Sequence, residues 1–306
     1  IFSKIRYSLH FPQYMSYYFT GVPVSEFTSI GCHTMLWDHS KNDYHSWVYE
    51  EEIDNVLPPI KTACTQHKVT LSGNKLKVGV GIHDSSAALI PYIRADKKPF
   101  LLVSTGTWSV SLNPFANTKN KSKLKYLREN GSPVAATKVF LGNEYRLQVK
   151  ALTKHFGLSE TAHKTIKFDQ KTYEDLLKSD ENKFRFESIK RDKEPEKTDY
   201  SHFKNIKVGY HKLMIELMKV QIQSTLKCLG KTSVNKIYID GGFTDNDIFV
   251  KLLSYHFRNC KIRTTESPLG SALGAAIVIS DKNITKKFLK INYNLKKHKA
   301  LTLQIQ

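Results

Sequence analysis

An apolar run that stops at one carboxylate, Gly79-Val80-Gly81-Ile82-His83-Asp84-Ser85-Ser86-Ala87-Ala88, constrains this chain more than any other stretch. Lys77–Gly81 reads as a strand and Ser85–Ile90 as a short helix of small residues, stopped at Pro91. The acid therefore stands at a strand-to-helix turn with nothing bulky around it. Small neighbours let a substrate hydroxyl and a phosphate approach closely, which a general base aimed at an alcohol requires. A second turn follows in Leu101-Leu102-Val103-Ser104-Thr105-Gly106-Thr107-Trp108-Ser109, where a strand pattern ends in hydroxyls and a glycine whose backbone N–H groups could hold phosphate oxygens. Asp84 thus reads as half of a phosphoryl-transfer site.

A third turn lies far along the chain. Lys236–Asp240 is an apolar strand, and Asp240-Gly241-Gly242-Phe243-Thr244-Asp245-Asn246-Asp247 leads from it into a helix marked by Ile248, Leu252 and Leu253. Paired glycines remove side chains where a flat base or ribose could lie on backbone, and Asp245 or Asn246 can cap the helix. Glu266–Ala276 then reads as a second helix of small residues, able to pack closely beneath that turn.

The remaining elements are read from local signals. A helix follows Pro12 and closes at Gly21, and Val22–Asp38 is loop or short elements. Glu51–Gln66 has near-helical apolar spacing that Pro58 and Pro59 must break or restart, and the polar stretch Lys68–Lys77 with its Gly73-Asn74 turn marks a junction near residue 76. Phe100–Ser104 and Trp108–Leu112 read as a strand pair, Asn117–Lys125 as a loop and Ala135–Phe140 as a strand. Phe168–Phe203 lacks sustained periodicity and reads as an excursion outside the core, while Val208–Leu229 is a long helix ended by Gly230.

Taken in order, His83-Asp84-Ser85, Ser104-Thr105-Gly106-Thr107-Trp108, Asp240-Gly241-Gly242 and Leu269-Gly270-Ser271-Ala272-Leu273-Gly274-Ala275-Ala276 resemble the FGGY carbohydrate kinases. Together with Gly31-Cys32-His33-Thr34-Met35-Leu36-Trp37-Asp38, the His-Asp wording is most similar to the rhamnulokinase and fuculokinase branch. The resemblance implies an α/β, actin-like ATPase architecture of ribonuclease-H-like domains, mixed sheets flanked by helices, with sugar and nucleotide meeting in a cleft. Residues 1–76 would be the last part of the sugar-binding domain, and residues 77–306 the nucleotide-binding domain. It implies an ATP-dependent kinase that transfers the γ-phosphate to a hydroxyl of a ketose, a deoxy-ketose such as rhamnulose or fuculose, with ATP and Mg2+ as cofactors.

Residue by residue, Asp84 would be the base, and Thr105, Gly106 and Thr107 would contact the phosphates. Gly241, Gly242 and Asn246 would contact the adenosine, and His83 and Trp37 would lie on the substrate side. The family's Asp-x-Gly-Thr element near the N-terminus has no counterpart here, so the expectation is a chain incomplete as a kinase, with an upstream part missing.

Each assignment has a structural alternative. Asp84 could be only a helix N-cap, Ser104–Thr107 an ordinary turn, Gly241-Gly242 packing glycines, and Trp37 a core aromatic. A functional alternative is a non-catalytic nucleotide- or polyanion-binding relative that uses its lysine-rich surface. The formal charge of +19 leaves that open. The basic residues are nevertheless scattered lysines without interleaved aromatics, so a nucleic-acid partner is not expected. With no apolar run near the roughly 20 residues of a membrane span, the chain reads as cytoplasmic, with a small-molecule sugar as partner and a homodimer left open. Four widely spaced cysteines make neither a zinc site nor a disulfide scaffold and read as reduced thiols.

Overall fold

In a computed structural model the protein is mixed α/β, and residues 4–116, 125–191, 193–266, 270–280 and 284–302 are described. The first elements are α1 (Phe11–Thr20), β1 (Ser25–Glu26), α2 (Phe27–His33), β2 (Trp37–Asp38), β3 (Asp43–Tyr44), α3 (Ser46–Glu50), β4 (Ile60–Lys61), β5 (Gln66–Leu71), β6 (Asn74–Gly79) and α4 (Asp84–Ala95). There follow β7 (Leu101–Thr105), β8 (Ser109–Asn113), β9 (Lys125–Leu127), β10 (Pro133–Val139), α5 (Leu141–His155), α6 (Gln170–Leu177) and α7 (Ile206–Leu229). The chain closes with β11 (Lys236–Gly241), α8 (Asp247–His256), β12 (Lys261–Thr265), α9 (Gly270–Val278), α10 (Lys286–Asn292) and β13 (Lys296–His298). Two compact units result: Ile1–Lys97 with Pro114–Ala136 and Pro268–Tyr293, and Lys98–Asn113 with Thr137–Ser267 and Asn294–Gln306.

In the first unit the local signals decide most elements. Pro12 sits in the first turn of α1, and Gly21 ends it in the left-handed region at φ 68°, its N–H donating to the Tyr17 carbonyl. Lys68–Lys77 falls within an antiparallel hairpin of β5 and β6, Gln66 opposite Gly79 through Leu71 opposite Asn74. Ser72 and Gly73, both at positive φ, supply the turn that matches strand twist. The helical spacing across Glu51–Gln66 does not become an α-helix. Only a short 3-10 turn forms at Ile53–Val56 before Pro58-Pro59 forces the backbone extended into β4.

Pro91 does not stop α4, which runs on to Ala95. A proline inside a helix cannot donate to the carbonyl four residues back, here that of Ala87. Gly274 of α9 comes so close to this carbonyl that a Cβ there would lie 1.9 Å from the oxygen. The small residues of α9 thus serve close packing on α4, the helix that begins at Asp84, rather than the support beneath the glycine-pair turn that the sequence suggests. Ala63, Ile82, Ala87, Ile90, Ile277 and Val278 form one core around that contact. Ile30, Trp37, Tyr44, Val48 and Leu127 form another.

The main sheet has the order β13-β12-β11-β7-β8-β10-β9, with β12, β11 and β7 parallel and with β13 antiparallel to β12 and β8 antiparallel to β7. β7 and β8 form the expected strand pair. The helix α7 lies over the sheet, with Leu213, Met214, Leu217 and Met218 buried, and Gly230 closes it. Phe168–Phe203 departs from the expectation of an excursion outside the core: Tyr173, Phe184, Phe186 and Phe203 are buried in the main apolar cluster of the second unit. The segment is held by two buried carboxylates. Glu216 accepts from the Lys183 amide at 2.7 Å and from Arg191 Nη1 at 2.7 Å. Glu144 accepts from the Glu187 amide at 3.1 Å and from the Ser188 amide and hydroxyl at 2.6 Å each. Aromatics spaced without period are buried because backbone donors, not a helix face, bring them in.

The loop expected over Asn117–Lys125 falls almost wholly on residues 117–124, which lie outside the described residues. All four cysteines are free, as expected, though Cys64 is exposed. Among the described residues no helix is long and apolar enough to cross a membrane.

Candidate nucleotide site and the Asp84 turn

The parallel register of β7 and β11 places Asp240 opposite Ser104 and Gly241 opposite Thr105, so the carboxyl ends of two adjacent strands open side by side. In open α/β sheets this is where ligands bind. Both turns predicted from the sequence leave from here. They are stitched together by backbone: the Gly242 N–H donates to the Thr105 carbonyl at 2.7 Å. A Cβ on Gly241 would sit 1.8 Å from that same carbonyl oxygen, and Gly241 is at φ 86°, so only glycine fits. The Thr105 hydroxyl is committed to the joint, donating to the Asp240 carbonyl at 2.5 Å and accepting from the Phe243 amide at 3.0 Å. Thr105 and Gly241 therefore build the floor of the turn pair.

Above that floor is a cavity of about 240 Å³. Gly106, Thr107 and Gly242 line it, as the sequence suggests, together with Asn246. The start of α5 completes it. The Asn143 amide donates to the Thr107 carbonyl at 3.1 Å, and a Cβ on Gly142 would lie 1.9 Å from the Gly106 carbonyl oxygen. A glycine-lined wall next to the N-terminal turn of a 15-residue helix offers backbone N–H groups and the positive end of a dipole to an anion. Arg146, one turn into α5, adds a cation on the same wall.

An adjoining cavity of about 370 Å³ shares Tyr145, Gly242 and Asn246 with the first. It is flanked by Tyr210 and His163, the cations Lys164 and Lys167, and the carboxylates of Asp245 and Asp247. Its polar groups are fixed in a chain: the Asn246 side-chain N–H2 donates to the Tyr210 hydroxyl at 2.8 Å, and the Tyr145 and Tyr210 hydroxyls are 2.9 Å apart. Burial pushes the Tyr210 phenol far above its usual range and raises that of Tyr145 as well, so both remain neutral hydrogen-bonding groups. Burial also lowers His163, which favours its uncharged ring. Flat aromatic walls with neutral donors suit a planar base, and Arg146 on the adjoining wall suits an attached phosphate chain.

Asn246 is at the same time the N-cap of α8, its Oδ1 accepting from the Phe249 amide at 3.0 Å. We expect Asn246→Ala to cost about 1 kcal/mol of stability through the lost cap and to release Tyr210. Urea unfolding checks the first effect, and a weakened nucleotide-induced thermal shift checks the second.

Sequence reasoning missed Tyr145, His163 and Tyr210. No local motif marks them, since they come from three separate segments. The one available signal was the neighbourhood of Gly142-Asn143 at the strand-to-helix turn ahead of α5.

In the first unit, Asp84 is the first residue of α4 and its side chain is 75% exposed. The N-cap is His83, so Asp84 is not the cap that a structural reading would make it. Its Oδ1 accepts from the Ser85 amide at 2.5 Å and stands 3.1 Å from His83 Nε2. His83 itself is buried and stacks on Tyr126 at 5.4 Å. The carboxylate is thus held from one side and open on the other. Trp37 is a core residue, 4% exposed, packed edge-on against Phe27 and Tyr44. That burial leaves it no open face on which a sugar could stack. Cys32, next to this turn, is no nucleophile, because burial pushes its thiol up to about 12.

A second carboxyl lies under the turn. Glu26 is fully buried, and burial raises it to about 7 against an ordinary 4.5, partly offset by hydrogen bonds from Thr28 and Ser29. Because the folded state holds this proton more tightly than the unfolded chain, the contribution is complete below the unfolded value and is lost as pH rises through the folded one. We therefore expect wild-type stability to fall by about 3 kcal/mol between pH 4.5 and 7 from this group. Glu26→Gln, which cannot ionise, should flatten that part of the curve, as chemical unfolding at a series of pH values will show.

No family model matches the sequence, and no curated protein matches it. Solved structures do match the fold. A carbohydrate kinase from Novosphingobium aromaticivorans aligns with a TM-score of 0.68 at 22% identity, over 97% of this chain and 66% of that one. A ligand-bound xylulose kinase from Lactobacillus acidophilus aligns at 0.66 and 12% identity, over 98% and 64%. A glycerol kinase from Plasmodium falciparum, solved with ADP, aligns at 0.61 and 16% identity, over 94% and 62%. The chain has the fold of these kinases, the mixed α/β architecture that the resemblance implies, and it spans 66% or less of their lengths.

Proposed function

We propose that this chain is the nucleotide-binding portion of an ATP-dependent carbohydrate kinase and carries that enzyme's general base. One observation carries the proposal: two glycine turns, locked to each other by the Thr105 carbonyl at the ends of adjacent parallel strands, floor an anion-ready cavity in a chain whose fold is that of carbohydrate kinases. Gly106, Thr107 and the start of α5 would face the β- and γ-phosphates, the glycines letting them approach the wall closely, and Gly242, Asn246 and the Tyr145–Tyr210 wall would receive the adenosine. Mg2+ would enter with the nucleotide and spread charge over its phosphates.

Asp84, exposed and without bulky neighbours, would accept the proton of a sugar hydroxyl as that oxygen bonds to the γ-phosphorus. The bond from the γ-phosphorus to the bridging oxygen breaks, and ADP leaves. The substrate is a ketose or polyol. The deoxy-ketoses rhamnulose and fuculose lead the panel on the sequence wording, and xylulose and glycerol join it from the kinases of the same fold.

A thermal-shift series with ATP analogue and Mg2+, followed by each sugar, tests this reading. Nucleotide should raise the melting temperature, and Gly242→Val, whose Cβ would meet the Thr105 carbonyl oxygen of the floor only at an ordinary 3.9 Å while its methyls occupy the cavity, should remove the shift. A chain that melts identically with and without nucleotide at millimolar concentration overturns it.

A further inference from the structure

Glu26 and Thr28 have no task in the reaction above, yet they reach the backbone of the Asp84 turn. Glu26 is 0% exposed and caps α2, its Oε2 accepting from the Ser29 amide at 3.2 Å. The same oxygen accepts from the Thr28 hydroxyl at 2.6 Å. Thr28, also 0% exposed, then accepts through Oγ1 from the His83 amide at 2.9 Å, across 55 residues of sequence. His83 is the N-cap of α4, and the next residue is Asp84.

The chemistry of a hydroxyl makes this more than packing. Threonine has one hydroxyl proton and two lone pairs. The His83 amide can only donate, so Thr28 must accept there, and committing its one proton to Glu26 turns that proton away from the amide and leaves a lone pair to receive it. We infer that Glu26 and Thr28 are positioning residues for Asp84, the Glu26 carboxyl orienting the Thr28 hydroxyl so that it fixes the His83 amide and, through it, the backbone from which the base projects. The link to catalysis rests on the reading of Asp84 given above, whereas the link to the His83 amide stands without it.

Other groups facing Glu26 are consistent with a held turn rather than a reactive one. The charges of Glu26 and Asp84 both act to raise the buried Cys32 thiol, which places the two carboxyls around one pocket of side chains. Ser86, two residues after Asp84, donates to the Leu127 carbonyl at 2.8 Å and secures the other side of the first turn of α4. The His83 amide is the point at which α2 takes hold of that turn.

The test combines amide hydrogen exchange at His83 with phosphoryl-transfer kinetics in the intact protein. Thr28→Val keeps the shape and removes the acceptor, so His83 protection should fall at least tenfold while distant core amides are unchanged. Thr28→Ser, which keeps the hydroxyl, should restore protection to within threefold. Glu26→Gln still offers an oxygen to Thr28 and should behave like wild type, whereas Glu26→Ala should lose protection as Thr28→Val does. In the kinetics Thr28→Val should lower kcat at least tenfold with the KM for ATP unchanged, and Thr28→Ser should recover it.

Unchanged His83 protection in Thr28→Val overturns the inference. So does a full kcat in Thr28→Val when Asp84→Asn is inactive. Normal turnover in Asp84→Asn instead overturns the reading of the base, with the exchange data still deciding whether the two residues hold the turn. Should the valine variant not fold, Thr28→Ala carries the same comparison.

Discussion

Asp84→Asn should lower sugar phosphorylation by about 10²–10⁴-fold, the range that a positioned general base supplies, with nucleotide affinity unchanged. The amide is nearly isosteric and can still accept the Ser85 amide through its oxygen, so the first turn of α4 survives. What disappears is the ability to take a proton at neutral pH. The side chain of Asp84 is 75% exposed, and an asparagine oxygen in its place can still face Nε2 of the buried His83, which lies 3.1 Å from the carboxylate. Steady-state turnover against a sugar panel and calorimetric titration with an ATP analogue separate the two effects. Near-normal turnover would remove Asp84 from the mechanism.

Gly241→Ala should be the most disruptive single methyl in the second unit. The added Cβ would lie 1.8 Å from the Thr105 carbonyl oxygen, and φ 86° is costly for any L side chain. Strain and overpacking together should cost about 3 kcal/mol or more. The clash falls on the carbonyl that accepts the Gly242 N–H, so the joint between the turns must open for the methyl to fit. Nucleotide binding should therefore be lost along with stability. Gly106→Ala is the internal control. The nearest atom to its Cβ would be 3.8 Å away, ordinary contact, and the fold should be retained. Urea unfolding of both variants, with and without nucleotide, gives the comparison.

The three turns were legible because each is punctuated locally: an apolar run, then glycine, hydroxyl or a single acid. The same holds for the Gly21 and Gly230 ends of α1 and α7 and for the cap at Asn246, where a residue's own backbone chemistry dictates the outcome. Pro91 shows where local rules fail. Its effect on α4 is decided by the α9 helix much later in the chain, whose Gly274 packs against the carbonyl to which the proline cannot donate. Phe184, Phe186 and Phe203 were illegible for a different reason: their burial goes with amides gathered by Glu144 and Glu216, acids that no local pattern marks as buried. Thr105 was expected among the residues that contact phosphate, and nothing in its own turn announced a second task for its hydroxyl. The register of β7 against β11 turns that hydroxyl inward to tie the strands.

The two carboxylates that gather Phe168–Phe203 change what a break in this segment would mean. The peptide bonds near Ser179 and Asp180 are exposed, whereas the groups that grip the following stretch sit on α5 and α7. A single protease cut there would separate the polypeptide into two fragments that stay docked through Glu144, which holds the Glu187 and Ser188 amides of the other piece, and through the shared apolar cluster. The same place is a natural opening for new chain ends in a circularly permuted version of the protein.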